Sequence, residues 1–166
     1  MKDIKNPFDL YGYADANWRN DVDTQKSTTS YVFYARRGAI SWYLKRQPII
    51  ALSMMEAEYI ALCASVQEAL WLCSLLEEVN YPLFSLKVPT MIFEDNQSCI
   101  ALVRNPIQHA RTKHIDIKYH FIRDHTDKGE IDIIYCSTKE MVADILMKPL
   151  PRPAFEVLIK ALGIEA

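Results

Sequence analysis

Between Arg46 and Lys87 the chain has no lysine and no arginine. Yet this stretch contains Met54-Met55-Glu56-Ala57-Glu58-Tyr59-Ile60-Ala61-Leu62, two glutamates in an otherwise apolar run. A carboxylate entering the edge of a core without a counter-charge is very costly. The neighbouring sequence supplies none. A divalent cation shared with other carboxylates would supply one.

Other absences narrow the field. The four cysteines, Cys63, Cys73, Cys99 and Cys136, form no Cys-x-x-Cys pair and read as buried, reduced thiols of an intracellular protein. The four histidines, at 109, 114, 120 and 125, include no i, i+4 pair that would face one ion on a helix, which argues against zinc. No long apolar stretch is free enough of charge to span a membrane, and the N-terminus lacks the apolar core of a signal peptide. Residues 1–7 read instead as the end of an excised fragment. There is no internal repeat. Nor is there an excess of positive charge: 19 Lys plus Arg against 21 Asp plus Glu give a net charge of −2. That balance excludes wholesale coating of nucleic acid but leaves room for a local basic patch.

At 166 residues, half of them hydrophobic, the chain fits one domain with a substantial core. Residues 8–15, 29–35 and 39–53 (the last interrupted at Lys45-Arg46-Gln47-Pro48) read as three successive strands, an antiparallel meander. Met54 to Val79 has neither Gly nor Pro and predicts a long helix. A fourth strand follows over 88–95 and a helix to about Arg104, stopped by Asn105-Pro106. Further expectations are a helix over 113–128, a fifth strand over 130–136, a short helix from the capping box Ser137-Thr138-Lys139-Glu140 to Lys148, and a last helix over 154–162. The order β-β-β-α-β-α-α-β-α-α implies an α/β fold with one mixed sheet and helices on its faces.

Four acids stand where metal binding suits them: Asp15 at the end of the first strand, Glu58 in the first turns of the long helix, Asp95 at the end of the fourth strand and Asp144 in the short helix. If the first and fourth strands are parallel neighbours, Asp15 and Asp95 emerge at one sheet edge. Each acid also has an ordinary alternative. Asp95 can cap the following helix, Asp15 can cap a turn, and Glu58 and Asp144 can lie on solvated surfaces.

Several ordered blocks carry a resemblance. They are Gly12-Tyr13-Ala14-Asp15-Ala16-Asn17-Trp18, Lys26-Ser27-Thr28, Ala39-Ile40-Ser41-Trp42, Glu56 to Leu62, Glu94-Asp95-Asn96-Gln97-Ser98, Arg111 to Arg123 and Ala143-Asp144-Ile145-Leu146-Met147-Lys148-Pro149-Leu150. Over about residues 8–163 the chain closely resembles the ribonuclease H domain of the Pol polyprotein of copia-type LTR retrotransposons. The resemblance implies the ribonuclease H-like fold, a five-stranded mixed sheet with its first three strands antiparallel and the others parallel, spanning 8–150. Residues 151–166 would add a C-terminal helix to the same domain.

It further implies an endonuclease that hydrolyses the RNA strand of RNA–DNA hybrids by a two-metal mechanism. Asp15, Glu58, Asp95 and Asp144 would be the catalytic and metal-binding carboxylates. Two Mg²⁺ ions, with Mn²⁺ as a substitute, suit such hard oxygen ligands. The reverse transcriptase region of the same polyprotein is the implied protein partner, the isolated domain is expected to be a monomer without membrane contact, and its place is the cytoplasm, within a retrotransposon particle, or the nucleus. Gln97 and Asn96, beside Asp95, are candidates for the hybrid. So are Arg36, Arg37, Trp42, Lys45 and Arg46, which combine charge and aromatic surface in one hairpin region.

The chain departs from the pattern at Met54 and Met55, where relatives carry polar residues, since methionine offers no strong hydrogen bond to a 2′-OH. It departs also at Arg19-Asn20, where Ala-Gly is usual, and at Ser30, where glycine is usual. These changes favour the alternative of a degenerate copy, catalytically weak or inactive, that acts only as a nucleic-acid-binding or structural module of a Pol polyprotein.

Overall fold

In the computed structural model, residues 10–35, 38–79, 89–105 and 116–164 are described. Three strands come first: β1 (Tyr11–Asn17), β2 (Thr28–Ala35) and β3 (Gly38–Arg46). They are followed by α1 (Met54–Glu78), β4 (Thr90–Glu94), α2 (Gln97–Arg104), α3 (Asp116–Asp127) and β5 (Ile131–Tyr135). Two short 3₁₀ segments, Thr138–Glu140 and Val142–Leu146, lead to α4 (Arg152–Ala161).

The five strands form one sheet in the order β3-β2-β1-β4-β5. β1 is antiparallel to β2 and β2 to β3, while β1–β4 and β4–β5 are parallel. Strand alternation sends Tyr31 and Phe33 to a core shared with Leu62 and Val66 of α1, Ile100 of α2 and Ile122 of α3. Val32 and Tyr34 face the other way, to a second core with Met141, Val142, Ala143 and Leu158 of α4. The expected mixed sheet with helices on both faces is therefore present.

Gly12 fits the first core for a spatial reason. A Cβ built there would lie 2.4 Å from the Phe33 ring. Helix α1 is long and apolar enough to cross a membrane by length and composition, contrary to the sequence expectation. Here it lies along the sheet, with Ala57, Tyr59, Leu62, Val66 and Ala69 buried.

Several boundaries differ. β1 runs two residues past Asp15. β3 is continuous through Lys45 and Arg46, and Ile49–Ser53 form no strand; antiparallel pairing of Thr28 with Arg46 carries the strand through the charged residues. Ser137 donates from its hydroxyl to Glu140 (2.9 Å) rather than capping a backbone amide, and two 3₁₀ segments replace the expected helix. The left-handed residues in the loop after β1 are Arg19 (φ 52°) and Gln25 (φ 58°), not Asn20. Ser30 sits in extended β2, where its hydroxyl donates to the Ala143 carbonyl at 3.2 Å and ties the sheet to the segment bearing Asp144. Residues 1–9, 36–37, 80–88, 106–115 and 165–166 lie outside the described residues.

Candidate metal centre

The parallel register builds the site. Tyr13 of β1 pairs with Phe93 of β4, and Asp15 and Asp95 each follow two residues later at the same end of the sheet. Asp15 is 1% exposed, within β1 opposite Ser30, so it caps no turn. Asp95 does not cap α2 either. That role falls to Asn96, whose side chain accepts from the Cys99 amide at 3.0 Å. Asp95 is left half-buried, accepting from the Thr138 hydroxyl at 2.7 Å.

The N-terminus of α1 sorts the two glutamates. Ser53 caps the helix by accepting from the Glu56 amide (3.2 Å), and Glu56 reaches back to accept from the Leu52 amide (2.8 Å). Glu58, half a turn further on, points instead to β1 and accepts from the Ala16 amide at 2.7 Å. That amide also donates to Asp15 at 2.9 Å. One oxygen from each of Asp15, Glu58 and Asp95 lies within 4.8 Å of the other two. Two charged carboxylates at that separation repel by about 3 kcal/mol at an effective dielectric of ~20.

Asp144 is also buried, on the second 3₁₀ segment, and it joins the trio through a cation. Lys148, one turn later, places its Nζ 2.9 Å from Asp15 Oδ2 and in an ion pair with Asp144 Oδ1. Burial by itself would lower the Lys148 ammonium. The Asp15 and Asp144 carboxylates outweigh that and hold it above the ordinary lysine value.

Sequence reasoning missed Lys148, although its spacing four residues after Asp144 is a readable signal. It also missed Glu94. This last residue of β4 is wholly buried; its Oε1 accepts from the Asn96 amide at 3.1 Å and its Oε2 has no hydrogen-bond partner among the described residues. Desolvation drives Glu94 well above the usual carboxyl range. Strand alternation from Ile92 was the available clue to its inward direction.

Desolvation also raises Asp15 and Glu58. Burial, a hydrogen bond with Asp144 and the Glu58 charge push Asp15 to about 9, against the pull of Lys148. Burial and the charges of Glu94 and Asp95 push Glu58 to about 9. Hard carboxylate oxygens, crowded until two of them favour protons over charge, are a donor set that fits Mg²⁺ or Mn²⁺.

Asp15, Glu58, Asp95 and Lys148 line a cleft of about 500 Å³ with Asn17, Trp18, Met54, Asn96, Gln97 and Thr138, whereas Asp144 and Glu94 lie behind it. Gln97 is exposed at the mouth. The remaining nucleic-acid candidates lie elsewhere. Trp42, 65% exposed, sits on edge strand β3, two strands from β1, and lines no part of this cleft. Arg46 pairs with Asp21. Lys45 lines a separate cavity of about 430 Å³ with Tyr43, Gln67, Lys118 and Phe121. Tyr43 faces α1, stacked on Tyr31, on the opposite side of β3 from Trp42. Arg36 and Arg37 lie outside the described residues.

No family model matches the chain. Over 157 residues, 95% of its length, it is 41% identical to the retrovirus-related Pol polyprotein from transposon TNT 1-94 of Nicotiana tabacum, covering 12% of that protein. It is 38% identical over 159 residues to the corresponding polyprotein from transposon RE2 of Arabidopsis thaliana, 96% of this chain and 11% of that one. The chain thus spans a small part of the length of the curated relatives it matches. Among solved structures it resembles LC11-RNase H1, isolated from compost by a metagenomic approach. The TM-score is 0.61 at 12% identity, over 92% of this chain and 99% of that one. The same protein in complex with an RNA/DNA hybrid matches with a TM-score of 0.55 at 11% identity, over 80% and 88% of the two chains. The chain resembles one part of the retrovirus-related Pol polyproteins of copia-type transposons, and its fold is that of the ribonucleases H.

Proposed function

We propose that the chain is a divalent-cation-dependent endonuclease that hydrolyses the RNA strand of RNA–DNA hybrids during reverse transcription. The observation that carries this reading is the convergence of Asp15, Glu58 and Asp95 to within 4.8 Å on a ribonuclease H fold. The hybrid bound by LC11-RNase H1 supports the substrate class. Residues 8–150, with 151–166 appended, would be the working unit, monomeric when isolated. In its relatives' context it would act beside the reverse transcriptase region of the same polyprotein, in a cytoplasmic particle.

Asp15, Glu58 and Asp95 would hold the cation, with Asp144 as the fourth carboxylate and Asp15 as the shared ligand. A bound pair of Mg²⁺ ions supplies an activated water and stabilises the departing 3′ oxygen. The chain's own residues prepare the site. The Ala16 amide fixes both Asp15 and Glu58, and the Thr138 hydroxyl orients Asp95. Gln97, at the mouth, is placed to meet the sugar edge of a bound strand, where 2′-OH contacts tell RNA from DNA.

A second reading has an observation of its own. Met54 lines the cleft beside Glu58 and is 53% exposed. A thioether there forms no strong hydrogen bond to ribose, favouring a copy that binds hybrid without cutting it.

Incubation of the chain with an end-labelled RNA–DNA hybrid and Mg²⁺ separates the two. The endonuclease reading expects cleavage that Asp95→Asn lowers by about 10²-fold or more. Binding without cleavage at high enzyme concentration establishes the second reading. Cleavage that survives Asp95→Asn removes the site from the reaction.

A further inference from the structure

We propose that Lys148 is a resident counter-cation of the acidic cluster, one that a divalent ion must displace, and that it thereby sets the affinity of the site for metal. This rests on the metal-centre reading above and goes beyond it by naming what holds the carboxylates together before metal arrives.

Three observations converge on Lys148. Its Nζ contacts two of the four carboxylates, Asp15 at 2.9 Å and Asp144 in an ion pair. Among the described residues it is the one cation ion-paired with any of the four. Its backbone is anchored too: the Lys148 amide donates to the Asp144 carbonyl at 2.9 Å, so the stem starts from a fixed point beside the cluster.

The two kinds of cation compete for the same atoms. Mg²⁺ needs carboxylate oxygens at about 2.0–2.1 Å. An ammonium already 2.9 Å from Asp15 Oδ2 would then stand close to the ion, and the two positive charges repel. One must leave. Lys148 can do so, because its side chain is 31% exposed whereas that of Asp15 is 2% exposed, and four methylenes separate the charge from the backbone. Asp15 and Asp144 cannot follow it, being set in β1 and in the buried 3₁₀ segment.

The test compares the full chain with Lys148→Met, which removes the charge, and Lys148→Arg, which keeps it. Mg²⁺ and Mn²⁺ are titrated calorimetrically at about pH 8.5, where the carboxylates more readily give up protons. Melting temperatures are taken with chelator and at saturating metal. Lys148→Met should bind Mg²⁺ about tenfold more tightly or better, having lost a competing cation. Its melting temperature should fall in chelator and return to the wild-type value at saturating metal. Lys148→Arg should stay near wild type in both readouts. If Lys148→Met does not fold, Lys148→Gln, which is uncharged but keeps a polar side chain, carries the same expectation. Unchanged metal affinity in the uncharged variant, with stability lowered equally with and without metal, overturns the inference and leaves the metal centre standing. If neither wild type nor the uncharged variants bind either metal, the metal-centre reading falls and this inference falls with it.

Discussion

Glu56 and Glu58 are two residues apart on one helix and end in different chemistry. Glu56 closes the cap of α1, while Glu58 is buried against the Ala16 amide among other carboxyls. In sequence both sit in the same apolar run without a nearby cation, and only Glu58 was taken as a metal-binding candidate. The cap geometry assigned one of them, and the reach of helix to strand assigned the other. A prediction follows for Glu58→Gln. The amide can still accept from the Ala16 N–H but adds no charge to the cluster. In chelator at about pH 9 this variant should be more stable than wild type by about 1 kcal/mol, about 2–4 °C in melting temperature for a chain of this size. It should also lose most of the stabilisation that Mg²⁺ gives wild type. A melting temperature below wild type in chelator would show that the carboxylate is held favourably without metal.

The β1–β4 pair is the element that makes the site, and its register depends on close packing behind it. The three pairs from Tyr11↔Met91 to Tyr13↔Phe93 put Asp15 and Asp95 at a common edge, and Gly12, in the middle of them, leaves room only for the Phe33 ring. Gly12→Ala should therefore destabilise the protein by about 1–3 kcal/mol through overpacking, measured by chemical denaturation. A change within about 0.5 kcal/mol would mean that the ring yields freely. Element types were largely legible in the chain. The meander, the Gly- and Pro-free run of α1 and the alternation of β5 all matched their periods. The segment around Asp144 was misread because its capping box promises a helix, whereas Ser137 is spent on the Glu140 side chain and Asp144 is drawn to Lys148. The charged end of β3 was misread because cross-strand pairing with β2 outweighs local composition.

For the whole molecule, burying several acids on one sheet edge has a cost that depends on pH. Asp15 and Glu58 titrate at about 9 in the fold, against about 4 when unfolded. From about pH 4 to 9 the folded chain therefore holds more protons than the unfolded one, and stability declines as pH rises through that window. Metal-free protein should lose melting temperature between about pH 6 and 9.5. The gain from Mg²⁺ should grow over the same range, because the ion needs the deprotonated ligands. A flat profile in chelator would mean that these carboxyls are charged already at neutral pH. By itself the sequence determined the strands, the helices and the identity of the acids, because periodicity and residue chemistry are local properties. Only the tertiary structure decided which oxygens come within reach of one another, that Glu94 is buried beside them, and that Lys148, 133 residues from Asp15, is their counter-charge. Those contacts depend on sheet register and on how α1 and the 3₁₀ segments pack against the sheet, and no local pattern encodes such distances.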